Sequence, residues 1–241
     1  ASDVYKRQHL KAAGKPIDYQ NRFIAIGNYG SIDDVFNYAQ TAINGTTASQ
    51  VIPGDLIYID FNGDGIINSN DKVVVDELNY PLTTIGFSFG FNWKGLNFSA
   101  MLYSPRNIYK LQFDQYLWDF PASNIRVQPK SMERWTPETA NSSGVMRPAT
   151  HLNNTYNKVE STYRYSDYSY IRLKNMEIGY TFPKKWLSPL GVEALRLYVE
   201  GYNLLTFSAV SKYNIDPESP AVNNGYYPQQ RTYTLGAKIT F

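Results

Sequence analysis

From Thr84 to Trp93 the chain alternates strictly: Ile85, Phe87, Phe89, Phe91 and Trp93 fall on one side, and Thr84, Gly86, Ser88, Gly90 and Asn92 on the other. That period of two is the period of a β-strand, whose successive side chains point to opposite faces. Trp93-Lys94-Gly95 makes a tight turn, after which Leu96, Phe98, Ala100 and Leu102 alternate with Asn97, Ser99, Met101 and Tyr103. The two segments predict a long antiparallel hairpin. The pattern returns in Tyr170 to Phe182, where Met176, Ile178, Tyr180 and Phe182 oppose Asn175, Glu177, Gly179 and Thr181 until Pro183 ends the strand. Leu195, Leu197 and Val199 then alternate with Arg196, Tyr198 and Glu200 up to about Phe207. A last strand sets Tyr233, Leu235, Ala237, Ile239 and Phe241 against Thr232, Thr234, Gly236, Lys238 and Thr240. The expected class is all-β and antiparallel, with about five strands spread over 82–241.

Between the strands lie two long loops, 104–165 and 207–229. The first is rich in Pro, Asn, Ser and aromatic residues and reads as irregular, with helical turns near Asp114–Asp119 and Ser131–Trp135. Upstream, Ser31 to Gln40 spaces Ile32, Val35, Phe36 and Ala39 for one face of a short helix that Ser31 or Asp33 caps and Asn44-Gly45 stops. Residues 1–26 read as a remnant, partial strand or loop, and 27–81 as a loop region holding that helix. The opening residues lack the basic start, apolar core and small-residue cleavage site of a secretory leader. The expectation is a cytoplasmic chain or a true beginning that lies upstream.

Composition narrows the chemistry. The chain has no cysteine, which removes disulfides, thiolate catalysis and cysteine-held metals. Lys and Arg number 23 against 21 Asp and Glu, so charge gives no reason to expect nucleic acid as a partner. No apolar run is long enough for a transmembrane helix, but strands that alternate pass that test unseen. Of the residues, 15% are aromatic, including 21 Tyr. Strands of about ten residues, short turns alternating with very long loops, aromatics at strand ends and an opposite face of Gly, Ser, Thr and Asn together describe a transmembrane β-barrel. Counting back from Phe241 puts the Trp93-Lys94-Gly95 turn and the Pro183–Ala194 connection at the C-terminal end of the strands, with the long loops opposite, which would be extracellular. Five strands cannot close, because single-chain barrels begin at about eight, so the expectation is a C-terminal segment of a larger barrel. A secreted β-sandwich, calcium-stabilised and serving carbohydrate binding or adhesion, is the alternative; it would bury the Phe87, Phe89, Phe91 face against the Leu235, Ile239 face.

One motif suggests a metal. Asp60-Phe61-Asn62-Gly63-Asp64-Gly65-Ile66-Ile67-Asn68-Ser69-Asn70-Asp71 follows the calcium-loop pattern, with Asp71 where Glu is usual. Asp60, Asn62 and Asp64 would offer side-chain oxygens, Ile66 its carbonyl and Asp71 the closing carboxylate, a hard donor set suited to a structural Ca2+. The other reading is a pair of Asn-Gly and Asp-Gly turns with solvated carboxylates.

Taken together, several stretches resemble the C-terminal part of the SusC/RagA family of TonB-linked outer-membrane transporters, over about Gly27 to Phe241. They are Pro53-Gly54-Asp55 leading into Asp60–Gly65, Phe87–Ser99, Ser169–Asn175 with Gly179-Tyr180, Leu195–Val199 with Asn203-Leu204, and Asp216-Pro217-Glu218 before Arg231–Gly236. The resemblance implies a piece of a 22-stranded barrel in the outer membrane of a Gram-negative cell, importing glycans or peptides. It implies a SusD-like surface lipoprotein as lid and TonB acting through a part of the protein that this chain lacks. It also implies that Tyr233, Leu235, Ala237, Ile239 and Phe241 form the signal read by the barrel-assembly machinery; an ordinary edge strand would show the same pattern.

Enzymatic chemistry finds no support. His9 and His151 stand alone, and no catalytic triad spacing or phosphate-cradling loop occurs. Glu177 and Glu200 lie on the polar side of their strands and read as solvated lining rather than an acid–base pair. Trp118, Trp135, Tyr163, Tyr165 and Tyr168 could stack on sugar rings, pack beneath a lid or fill the loop's own core.

Overall fold

The computed structural model describes residues 14–16, 19–43, 50–112, 129–140, 144–149, 155–219 and 229–241. In chain order the strands are β1 Gln20–Arg22, β2 Ala25–Asn28, β3 Gln40–Thr41, β4 Leu56–Tyr58, β5 Ile66–Ile67, β6 Val73–Val75, β7 Thr83–Trp93, β8 Leu96–Arg106, β9 Tyr109–Leu111, β10 Tyr165–Asp167, β11 Tyr170–Thr181, β12 Ala194–Ser208 and β13 Thr232–Thr240. The described residues include the short helices α1 Ile32–Asn37 and α2 Lys184–Leu187. No helix among the described residues is long and apolar enough to cross a membrane. The chain forms two compact units, residues 1–78 with 110–166 and residues 79–109 with 167–241.

The second unit is an open antiparallel sheet of five strands in the order β13-β12-β11-β8-β7. Each strand pairs with the next in sequence among these five, because a meander needs no crossover. Lys94 and Gly95 both take positive φ, 50° and 91°, the two-residue turn whose twist matches the flanking strands. A Cβ on Gly95 would stand 2.5 Å from the Thr181 carbonyl oxygen, so both the backbone angle and the neighbour require glycine. Thr181 N donates to Gly95 O at 2.8 Å, and Glu193 N donates to Thr240 O at 2.8 Å. These bonds gather both short turns and the C-terminus at one end, as the turn count predicts. The register breaks between Leu173 and Asn175, a β-bulge that leaves Lys174 unmatched against β8. Opposite it, β12 carries Asn203 at φ 53°.

β8 runs three residues past the alternation read from the sequence, through Ser104, Pro105 and Arg106. Pro105 lacks an amide donor and normally argues against a strand, yet it sits in register opposite Thr84 of the edge strand β7.

The first unit has a core of its own. Phe23, Tyr29, Val35, Leu56, Tyr58 and Ile67 pack with Tyr156 and Val159, so the segment before β7 and the segment after β8 fold together. The stretch 110–165, expected to be irregular, therefore contributes to a packed body. Asp55 and Asn157 join the two segments at its centre. Both are buried; Asn157 Nδ2 donates to Asp55 Oδ1 at 2.7 Å, and Leu56 N donates to Asn157 Oδ1 at 2.9 Å. The Asn28 side chain does the same nearby, accepting from Met146 N at 2.7 Å and donating to Gly54 O at 2.9 Å. Gly54 has φ 94°, and a Cβ there would lie 2.6 Å from the Trp135 ring and from Ala149 Cβ. The Pro53-Gly54-Asp55 motif is thus a turn, a close approach and a buried anchor in three consecutive residues.

α1 forms where the spacing places it but ends earlier, at Asn37. Ser31 caps it: its Oγ accepts from Asp34 N at 3.2 Å, and Asp34 Oδ2 accepts from Ser31 N at 2.9 Å. Only Val35 of its apolar face is buried, while Ile32 and Phe36 stay exposed. The Asn44-Gly45 stop lies outside the described residues.

Candidate functional site

The register assigns every residue of the large sheet to a face. Phe87 pairs with Leu102, Phe89 with Ala100, Phe91 with Phe98 and Trp93 with Leu96. Ile178 pairs with Phe98 and with Val199, and Val199 with Leu235. One face is therefore apolar across all five strands, and its large side chains are open: Phe87 is 58% exposed, Val199 52% and Leu235 81%. Rings on it touch one another, with Phe91 stacked on Phe98 at 5.4 Å and Phe89 at 5.6 Å from the same ring. A soluble sheet buries such a face under a second layer; this one leaves it outward. The β-sandwich alternative fails here, because Phe87 and Phe89 lie side by side with Leu235 and Ile239 on one sheet instead of facing them.

Strand length agrees with a bilayer. β7 and β8 have 11 residues each, which at about 3.4 Å per residue and about 45° of tilt span roughly 26 Å, close to a barrel's apolar band of about 25 Å.

The opposite face carries Asn92, Asn97, Ser99, Glu177, Arg196, Tyr198, Glu200 and the threonines of β13. Arg196 is ion-paired with Glu177, and Tyr202 OH donates to Glu200. Glu177 and Glu200 are thus occupied by neighbours on a polar wall, in line with the lining role. Gly236 sits beneath the Tyr198 ring, where a Cβ would come within 2.2 Å of the ring carbon Cζ.

At the end of the sheet bearing the long loops, sequence reasoning missed a charged network. Arg172 has a side chain only 1% exposed; its Nη2 donates to Asp216 Oδ1 at 2.7 Å and its Nη1 lies 3.2 Å from Glu218 Oε2. Lys174 Nζ donates to Glu218 Oε1 at 2.6 Å, and Tyr170 OH donates to the same oxygen. Arg172 and Lys174 stand two residues apart on β11, so strand alternation puts both on one side, where they reach the same carboxylate. Burial pushes the Glu218 carboxyl upward, but hydrogen bonds from Lys174 and Tyr170 and the Arg172 charge outweigh it and hold the pKa below the ordinary glutamate value. The spacing Arg-x-Lys and Asp-x-Glu was visible, but nothing in one sequence pairs segments 44 residues apart. Beside the network opens a cleft of about 290 Å³ lined by Arg172, Asn203, Thr206, Asn214, Asp216 and Arg231.

The loop aromatics pack. Trp135 is buried, Tyr163 lies against the core of the first unit, Tyr168 is buried with Ile108 and Val210, and the Arg22 guanidinium lies over the Tyr165 ring at 3.2 Å. Trp118, His9 and His151 lie outside the described residues.

The Asp60–Asp71 loop folds around its own amides. Asp60 Oδ1 accepts from Gly63 N at 2.8 Å and its Oδ2 from Gly65 N at 2.7 Å. Asp64 Oδ1 accepts from Ile66 N at 2.9 Å, and Asn62 Oδ1 from Asp64 N at 2.8 Å. Asp71 is fully buried and accepts from Phe61 N at 3.0 Å and Asn68 N at 2.7 Å. It closes the loop by binding backbone. Among the described residues no three His, Cys, Asp or Glu side chains are gathered closely enough to hold a metal ion.

No family model matches the chain. TonB-dependent receptor P26 of Formosa agariphila is 32% identical over 219 residues, covering 82% of this chain and 20% of the relative. TonB-dependent receptor P3 of the same organism is 30% identical over 202 residues, 78% of this chain and 19% of the relative. The chain therefore spans about a fifth of the length of these curated relatives. Among solved structures, the RagAB peptide transporter superposes with a TM-score of 0.64 at 19% identity, covering 92% of this chain and 22% of that one. The RagAB peptide importer in its open-open state superposes with a TM-score of 0.62 over the same shares. Related sequence and shared fold agree with the two-faced open sheet: this chain belongs to the TonB-dependent receptors, corresponds to their C-terminal part and shares its fold with the RagAB structures.

Proposed function

We propose that residues 82–241 form part of the wall of an outer-membrane barrel in a Gram-negative cell, and that the whole receptor imports oligomeric nutrients, glycans or peptides, with energy delivered by TonB. The apolar face that runs unbroken across five strands is the observation that carries this reading, because water gives no reason to leave Phe87, Phe89, Phe91 and Leu235 outward together. The names of the relatives support TonB coupling, and the RagAB structures, described as a peptide importer, support an oligomeric cargo. A SusD-like surface lipoprotein is the partner proposed for the long-loop side. Tyr233, Leu235, Ala237, Ile239 and Phe241 are proposed as the barrel-assembly signal: they lie exposed along the apolar face of the edge strand β13. Catalysis forms no part of the proposal.

A calcium ion at Asp60–Asp71 is a separable element. Asp60, Asn62, Asp64 and the Ile66 carbonyl would hold it, with Asp71 as the buried anchor behind them. Titration calorimetry on the full-length receptor is expected to show Ca2+ binding that Asp60→Asn with Asp64→Asn abolishes; no heat in the unaltered protein would leave the loop as a hydrogen-bonded turn pair.

The transport reading is tested by labelled oligosaccharide and oligopeptide uptake in cells bearing the full-length receptor. Accumulation that needs TonB supports it. A receptor found soluble, monodisperse and detergent-free would refute it.

A further inference from the structure

The β11–β12 connection carries an exposed apolar surface of its own. α2 and the 3-10 turn after it, Ser188–Leu190, bury Leu187 and leave Trp186 and Leu190 57% and 74% exposed. The Trp186 ring stands 6.4 Å from Phe182, and Phe182 meets Tyr180 edge-on at 5.1 Å. Tyr180 pairs with Leu96 and Leu197 on the apolar face. The exposed apolar surface of this turn is therefore continuous with the face assigned to lipid. Lys184 and Lys185 are exposed beside it. The neighbouring turn repeats the combination, with Lys94 Nζ 5.1 Å from the centre of the exposed Trp93 ring. The bond from Thr181 N to Gly95 O holds the two turns together. Across both, residues 93–96 and 182–193, three lysines face a single acid, Glu193.

Indoles settle at the level of lipid headgroups, and lysines carry their ammonium groups outward to the phosphates. A basic surplus favours headgroups whose net charge is negative over zwitterionic ones. We propose that these two turns form a docking surface for anionic phospholipid, with Trp93 and Trp186 at the hydrocarbon boundary and Lys94, Lys184 and Lys185 on the headgroup phosphates. The proposal rests on the membrane-wall reading of the sheet. It extends that reading by assigning this end of the barrel a preference among lipids.

The test uses the full-length receptor in nanodiscs of phosphatidylcholine, alone or mixed with phosphatidylglycerol, with retained lipid counted by native mass spectrometry. Each engaged lysine is expected to favour phosphatidylglycerol by roughly fivefold. The triple variant K94Q/K184Q/K185Q should lose the preference while keeping the heat-modifiable gel mobility of a folded barrel, and K94R/K184R/K185R should retain it. Equal retention of the two lipids by the unaltered receptor, or an unchanged preference in the glutamine variant, overturns the docking surface. A receptor that does not enter nanodiscs at all overturns the membrane reading beneath it, and the proposal with it.

Discussion

Placing an arginine at Phe89 or at its neighbour Ser88 separates the lipid-facing account from any soluble one. Phe89 lies near the middle of β7, 45% exposed on the apolar face, and Ser88 is next to it on the polar face. In water an exposed Phe exchanged for Arg costs little and improves solubility. At the midplane of a bilayer the same charge costs about 2–4 kcal/mol, whereas a position facing the barrel interior tolerates it. The two variants should thus differ by roughly 30- to 700-fold in the folding equilibrium. The assay is reversible urea unfolding of the full-length receptor in liposomes, followed by heat-modifiable mobility and tryptophan emission. Phe89→Arg should shift the midpoint sharply down and Ser88→Arg hardly at all. Equal midpoints, or a larger loss for Ser88→Arg, would refute the assignment of faces.

Other outcomes follow from single contacts. Asp55→Ala would strand the buried Asn157 amide and the Ile52 N–H that bonds Asp55 Oδ2 at 3.0 Å; at about 1–3 kcal/mol for each unmet group, hydrogen exchange at Ile52 and Leu56 should accelerate by at least tenfold. Gly54→Ala combines a φ of 94° with contacts at 2.6 Å and should cost the first unit more than about 2 kcal/mol, read from the same exchange. Because Glu218 has a lowered pKa when folded, the stability it supplies is present above the ordinary glutamate range and lost as pH falls through the folded value. Denaturation of the unaltered receptor should show that acid limb, and Glu218→Gln should flatten it.

The two faces of the sheet were legible in sequence because β7 and β13 alternate without interruption and the turn from β7 into β8 is short. The bulge at Lys174 left a trace in β11, whose apolar positions change from Ile171 and Leu173 to Met176, Ile178 and Tyr180, but the alternation read from the sequence covers only Asn175 onward. Long-range pairing was invisible for a different reason. Asp55 meets Asn157 across 102 residues, and Asn28 meets Met146 across 118, so a chain segment that looks irregular by period can still be half of a core. Residue type alone left the aromatics of that segment open between ligand stacking and core packing, and the fold buries Trp135 and Tyr168. In the Asp60–Asp71 loop the residue types fit a cation by spacing, whereas the fold commits Asp71 to backbone amides.

Cysteine scanning of residues 85–93 offers the most direct measurement, and this chain contributes no native cysteine to confuse it. Each position, spin-labelled in the full-length receptor in liposomes, is challenged with oxygen dissolved in the bilayer and with a water-soluble nickel chelate. Labels at 85, 87, 89, 91 and 93 should collide with oxygen and those at 86, 88, 90 and 92 with the chelate, in strict alternation. A uniform response along β7, or odd-numbered labels shielded from oxygen, would contradict the claim that this sheet turns its apolar face to lipid.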